Sequence, residues 1–191
     1  MGNARCVFSS LIRWFPSVLA KLAIDRRGIA VVEFAFILPV MLLCYLGGME
    51  ISQAVAVNRM TSLSVSTVVN LVTQYSTISV SQTMPDILNA STAVLTPYPA
   101  SNATVTVSCI TIDAQGNATV AWSQSLRGSV RPVGQVIKLP AALDIPNTSV
   151  VLGEVTYAYM PMIDYIHLGP FNLSSSVYMV PRNSSTIALT S

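Results

Sequence analysis

The sequence predicts an α+β protein in which one long N-terminal helix, transmembrane at first and continuing outside, packs on a small antiparallel sheet. Three observations lead there. Ile29 to Met49 is an apolar run carrying a single charged residue, Glu33. Beyond it, apolar and small side chains keep recurring at near-helical spacing to about Tyr75. Further on, four stretches alternate apolar and polar residues between turn signals, the pattern of half-buried strands.

The apolar run comes first. Of the 191 residues, 52% are hydrophobic and only 9% charged, against roughly 25% charged in an ordinary soluble domain. At about 1.5 Å per residue the run crosses a hydrocarbon core of about 30 Å. Arg5, Arg13, Lys21, Arg26 and Arg27 precede Gly28 against one acid, Asp25, and the next basic residue after the run is Arg59. This asymmetry places the N-terminus in the cytoplasm and the bulk of the chain outside. The net charge of +2 decides little by itself, but the lack of a basic patch with interleaved aromatics argues against a nucleic-acid partner.

Three segments follow: a cytoplasmic leader over 1–28, a transmembrane and amphipathic helix over 29–78, and an extracytoplasmic α+β domain over 79–191. The leader's VFSSLIRWFPSVLAKLAI suits a short surface helix broken near Pro16. In the outer half of the long helix the expected stripe is Ile51, Val55, Ser62, Val65, Val69 and Val72, with Ala54, Asn58 and Val68 beside it. The β-branched residues of VSTVVNLVT oppose helix, but the periodicity outweighs them. ATVTVSCITID and NATVAWSQS flank AQG as a β-hairpin. GQVIKLPAALDIPNTS reads as a loop with a helical turn, bounded by Pro140 and Pro146. SVVLGEVTYAYMP and FNLSSSVYMVP each alternate and each end at a proline, giving two more strands.

Cys6 falls in the leader, Cys44 in the bilayer and Cys109 alone outside, so no intrachain disulfide is expected. Six N-x-S/T sequons occur, beginning with Asn89 and Asn102; in a chain this rich in Ser and Thr, chance accounts for them. Pro39 removes a backbone donor within the apolar helix and predicts a kink or a locally melted turn. Gly47 and Gly48 permit close helix approach but lack GxxxG spacing.

Glu33 raises the functional question. A carboxylate inside an apolar span costs a few kcal/mol and is normally paired, snorkelled or functional. Arg26 or Arg27 can reach it, which is the plain reading. The sharper one uses the spacing: a cut after Gly28 makes Ile29 a new N-terminus, and Glu33 then stands four residues from an ammonium on one helix face.

Basic residues, a Gly, and a Glu at the fifth position of the following apolar helix resemble the processing motif of type IV prepilins. The wider stretch GIAVVEFAFILPVMLLCYLGGMEISQAVAVNRM resembles TadE/TadG-like proteins of tight-adherence (Flp-type) pilus systems. Gly28, Glu33, Phe34, Leu38, Pro39, Gly47 and Glu50 occupy the places of that pattern. So do V-A-W-S after the hairpin Gly, Leu139 and Pro140, the run from Glu154 to Pro161, and Pro181 and Arg182 downstream. The resemblance implies a prepilin-peptidase-like processing site at Gly28, Ile29, Glu33 and Phe34, with no catalytic residue, cofactor or metal of the chain's own. It also implies a bacterial inner-membrane location and, as partners, other pilins or pseudopilins, inner-membrane assembly proteins, the prepilin peptidase and the bilayer. The chain departs from the family in its external cysteines, often paired there and reduced here to Cys109.

Two other classes stay open. One keeps the family but retains the leader, as an unprocessed single-pass scaffold. The other is a membrane-tethered enzyme or ligand-binding domain, for which no convergent acid, base and nucleophile set is visible. His167 with Asp164 and Glu154 is short of ligands for a metal. Tyr157, Tyr159, Tyr165, Met160 and Met162 form either an exposed contact stripe or ordinary core.

Overall fold

The computed structural model describes residues 27–161 and 170–191. The leader before Arg27 and the segment holding Met162, Asp164, Tyr165 and His167 lie outside the described residues. The chain divides into two compact units between Met49 and Glu50. Helix α1, Arg27–Thr73, runs through this boundary with Pro39 inside it.

In the 50–191 unit, α1 supplies the buried face Val57, Thr61, Ser64, Val65, Val68, Val69 and Val72. The sequence stripe therefore holds from Val65 onward, and above it Ala54 and Ser62 are partly buried while Ile51, Val55 and Asn58 are not. Ile51 and Val55 are exposed, and the buried face passes instead through hydroxyl residues. Those hydroxyls are satisfied locally: Thr61 Oγ1 donates to the Val57 carbonyl at 2.9 Å and Ser64 Oγ to the Ser91 carbonyl at 2.7 Å. A buried hydroxyl so paired carries no desolvation penalty, but on a hydrophobicity pattern it reads as solvent-facing. The helix closes at Thr73, short of residue 78, and Thr77–Ser79 is strand β1.

Helix α2, Thr83–Ala93, is an element the sequence pattern did not mark. Its buried residues Met84, Ile87, Leu88, Ser91 and Thr92 recur with a helical period that the Ser and Thr disguise. Pro85 sits in the first turn, where a missing N–H breaks no helical bond. A 3₁₀ turn over Ala100–Asn102 leads into the sheet.

The main sheet is the expected one: β2 (Ala103–Ile112), β3 (Ala118–Leu126), β4 (Ser149–Tyr159) and β5 (Phe171–Met179), antiparallel in the order β3-β2-β4-β5. The hairpin turn is held by Asp113, whose carboxylate accepts from the Gln115 and Asn117 backbone N–H groups at 2.9 and 2.7 Å and from Asn117 Nδ2 at 2.8 Å. These bonds, the Asn117 amide foremost, pull the Asp113 carboxyl below its usual range. Gly116 takes the left-handed conformation the turn requires, with φ +83°. A short parallel pair, β1 with β6 (Ala188–Thr190), closes the C-terminal segment onto the end of α1.

One face of the sheet packs on α1 and α2 through Val105, Val107, Cys109, Trp122, Val151 and Val155. Trp122 Nε1 is satisfied by the Ile187 carbonyl at 2.7 Å. Gly153 lies at the middle of this face, where a Cβ would stand 2.2 Å from Val69 Cγ2 and 3.1 Å from Val65 Cγ2. The missing side chain is what lets the helix lie down on the sheet. On the opposite face the loop residues Ile137, Leu139 and Leu143 cover Ile110, Ile112, Ala118, Val150 and Leu152. Elsewhere that face is a hydroxyl ladder, with Ser108 bonded to Ser123 at 2.9 Å and Thr106 to Ser125 at 2.9 Å.

The candidate assembly segment and its root in the domain

Gly28, Ile29, Glu33 and Phe34 lie in the first turns of the described part of α1. The structure places all four on open helix surface. Ile29 is 64% exposed and Phe34 58%, and a Cβ at Gly28 would meet nothing within 4 Å. The same holds for Gly47 and Gly48. Val31, Val32, Phe36, Ile37, Leu38, Val40, Met41, Leu42, Leu43 and Tyr45 are exposed as well.

Among the described residues this stretch meets no partner layer, and a helix apolar on every side suits lipid or other apolar helices. This helix is long and apolar enough to cross a membrane, and no residue of its most apolar window is buried. One such helix fits a single-pass membrane protein. Among the described residues Glu33 makes no ion pair; the side chains of Arg26 and Arg27 lie outside them. Ile29 and Glu33 are four residues apart in continuous helix and so share a face.

The second acidic residue of the motif, Glu50, is the first residue of the larger unit. Its Oε2 accepts a hydrogen bond from the Tyr159 hydroxyl at 3.1 Å, tying the end of β4 to α1. Tyr159 and Tyr157 are buried with Val57, Leu95 and Ala103 against Ala54, Met60, Tyr98 and Leu173. For these two tyrosines the core alternative is the correct one, while Met160 beside them is exposed. The sequence marked Glu50 and Tyr159 separately but gave no sign of their pairing, since they are 109 positions apart.

Burial, reinforced by the hydrogen bond to Glu50 and the charge of that carboxylate, pushes the Tyr159 phenol up to about 12. Burial raises Tyr157 too. Because the folded state holds its proton more tightly, the stabilisation is complete below the ordinary tyrosine pKa of about 10. It is lost as pH rises from there through about 12. Tyr159→Phe is expected to flatten the fall in stability over that window, and to cost about 1 kcal/mol at neutral pH through the lost hydrogen bond. Chemical denaturation at pH 8, 10 and 11.5 measures both. An unchanged slope would show that Tyr159 does not carry the alkaline loss.

Glu154, weighed above as a metal ligand, is engaged otherwise. Arg131 grips it as a fork, Nε to Oε2 at 3.0 Å and Nη2 to Oε1 at 2.7 Å, and the Arg131 backbone N–H donates to Ser123 Oγ at 3.1 Å. The pair is about one-third exposed on each side, so it contributes at most about 1 kcal/mol and chiefly pins the 127–137 loop on the hydroxyl ladder. Asp164 and His167 lie outside the described residues. No group of His, Cys, Asp and Glu suited to a metal occurs among the described residues. Cys109 is buried and unpaired, and burial raises its thiol above the usual range.

Comparison with known families bears on this segment. Residues 28–67 match the model of the TadE-like protein family, a pilus-associated structural family. The match begins at Gly28, spans the apolar run and Glu50, and ends within the part of α1 that the sheet covers. No curated protein and no solved structure matches the chain.

Proposed function

We propose that this protein is a minor pilin or pseudopilin of a tight-adherence pilus system, acting in pilus assembly and adhesion. The observation that carries the reading is the start of the TadE-like match at Gly28, the residue after which a cut places Glu33 opposite a new N-terminus. The apolar half of α1 resides in the inner membrane, with residues before Gly28 in the cytoplasm and the 50–191 unit outside. It associates there with the helices of other pilins or pseudopilins through packing and polar contacts, since lipid cancels most of the hydrophobic drive between helices. The chain is a substrate of the prepilin peptidase and has no catalytic role of its own.

Gly28 suits the scissile position because, without a Cβ, it adopts the extended backbone a peptidase needs where helix must open. Gly28→Leu is expected to leave the protein at full length, about 3 kDa heavier on a gel than the cut form, as 28 of the 191 residues of a 20.4 kDa chain would weigh. Immunoblots of cells with and without active peptidase read the outcome. Normal maturation of the leucine variant would remove Gly28 from the cleavage site.

A further inference from the structure

We propose that the end of the 50–191 unit bearing Tyr98, Met160 and Phe171 is a membrane-docking surface, seated in the headgroup region of the bilayer that α1 crosses. The inference rests on the reading of residues 29–49 as a membrane span.

Connectivity supplies the first argument. The apolar run ends at Met49 and Glu50 follows it, so the chain leaves the lipid at the residue that accepts the Tyr159 hydroxyl bond. The end of β4 is thereby tethered within a residue or two of the membrane surface. Tyr159 is the Cα partner of Phe171, which starts β5, and Met160 continues the chain from it. Tyr98 packs on the same cluster from the loop before β2.

Chemistry supplies the second. Met160 is 66% exposed and Phe171 44%, although both flank a cluster that is otherwise closed. Ile51 and Val55, on the first outer turns of α1, are exposed as well. Tyr98, half-buried with an apolar body and a polar tip, set beside such side chains, gives this end the composition of a membrane interface. Arg127 stands at this end too, with its guanidinium donating to the Ala100 and Ala103 carbonyls at 2.6 and 3.0 Å. A cation held there by backbone suits the phosphodiester layer. The tether makes docking intramolecular, so a few side chains suffice where a free partner would need a full interface.

Spin labels on single cysteines test this in the full chain, in a Cys6→Ser, Cys44→Ser background that leaves buried Cys109 in place. Labels go at Met41, Met160, Phe171, Ser174 and Ile145, and the protein is reconstituted in phosphatidylcholine and phosphatidylglycerol vesicles. Ile145 is somewhat more exposed than Phe171 but lies by the start of β4, roughly 30 Å away at about 3.3 Å per residue. The ratio of oxygen to water-soluble nickel-chelate collision rates should be severalfold higher at Met160 and Phe171 than at Ile145, falling from Phe171 to Ser174. Equal ratios at Phe171, Met160 and Ile145, with Met41 lipid-exposed, would overturn the docking surface while leaving the span intact. A water-exposed Met41 would overturn the span, and the docking surface with it.

Discussion

Gly153→Ala should lower the melting temperature of the protein by about 3–10 °C, and Gly153→Val by more. The added Cβ falls 2.2 Å from Val69 Cγ2, inside van der Waals contact. Val69 cannot swing clear, because a β-branched side chain in a helix has one strongly preferred rotamer. Either α1 lifts from the sheet or β4 bends, and overpacking of this kind costs about 1–3 kcal/mol. For a unit of this size each kcal/mol moves the midpoint by roughly 2–4 °C. The compensating change is specific: Val69→Ala removes the clashing methyl, so the double variant should recover part of what Gly153→Ala loses. Thermal melts of the four proteins in detergent form a double-mutant cycle. Strict additivity would mean that the helix does not rest on Gly153.

Glu33→Ala should mature normally yet fail to co-purify with partner subunits. Cleavage after Gly28 leaves an ammonium at the first residue of a helix, where the unsatisfied N–H groups already make the end electropositive. In a low-dielectric medium an unpaired charge of this kind is far costlier than a neutral pair. On the proposed processing, Glu33, one turn along the same face, supplies the compensation within its own chain or to a neighbour. Its removal therefore acts on association, while the peptidase still finds Gly28. Glu33→Gln should behave as alanine does, because the charge matters rather than the shape. Partner recovery at the wild-type level from either variant would sink this role.

Much of the architecture was legible because its signals are local. The four strands from Ala103 to Met179 alternate cleanly, and AQG between two such runs fixes a hairpin. Helix α1 was readable through its β-branched stretch because Val65, Val68, Val69 and Val72 keep a helical period. What escaped notice rests on hydroxyl residues. Thr61, Ser64, Ser91 and Thr92 are buried yet count as polar in any pattern, which displaced the upper stripe of α1 and concealed α2. The β1–β6 pair joins segments more than a hundred residues apart, each only three residues long, too short to show alternation. At the candidate site the sequence carried Gly28, Glu33 and Glu50 as separate marks. It could not carry the Tyr159 bond to Glu50, because only the fold brings the end of β4 to that turn of the helix.

The role proposed for Gly28 is that of a cleavage site which frees Ile29 to pair with Glu33. The most direct measurement is the intact mass and N-terminal sequence of the wild-type protein purified from its native membrane, in cells with an active prepilin peptidase. A mature chain beginning at Ile29 is the expected result. A chain that still carries the residues through Gly28 would contradict it and leave the unprocessed scaffold in its place.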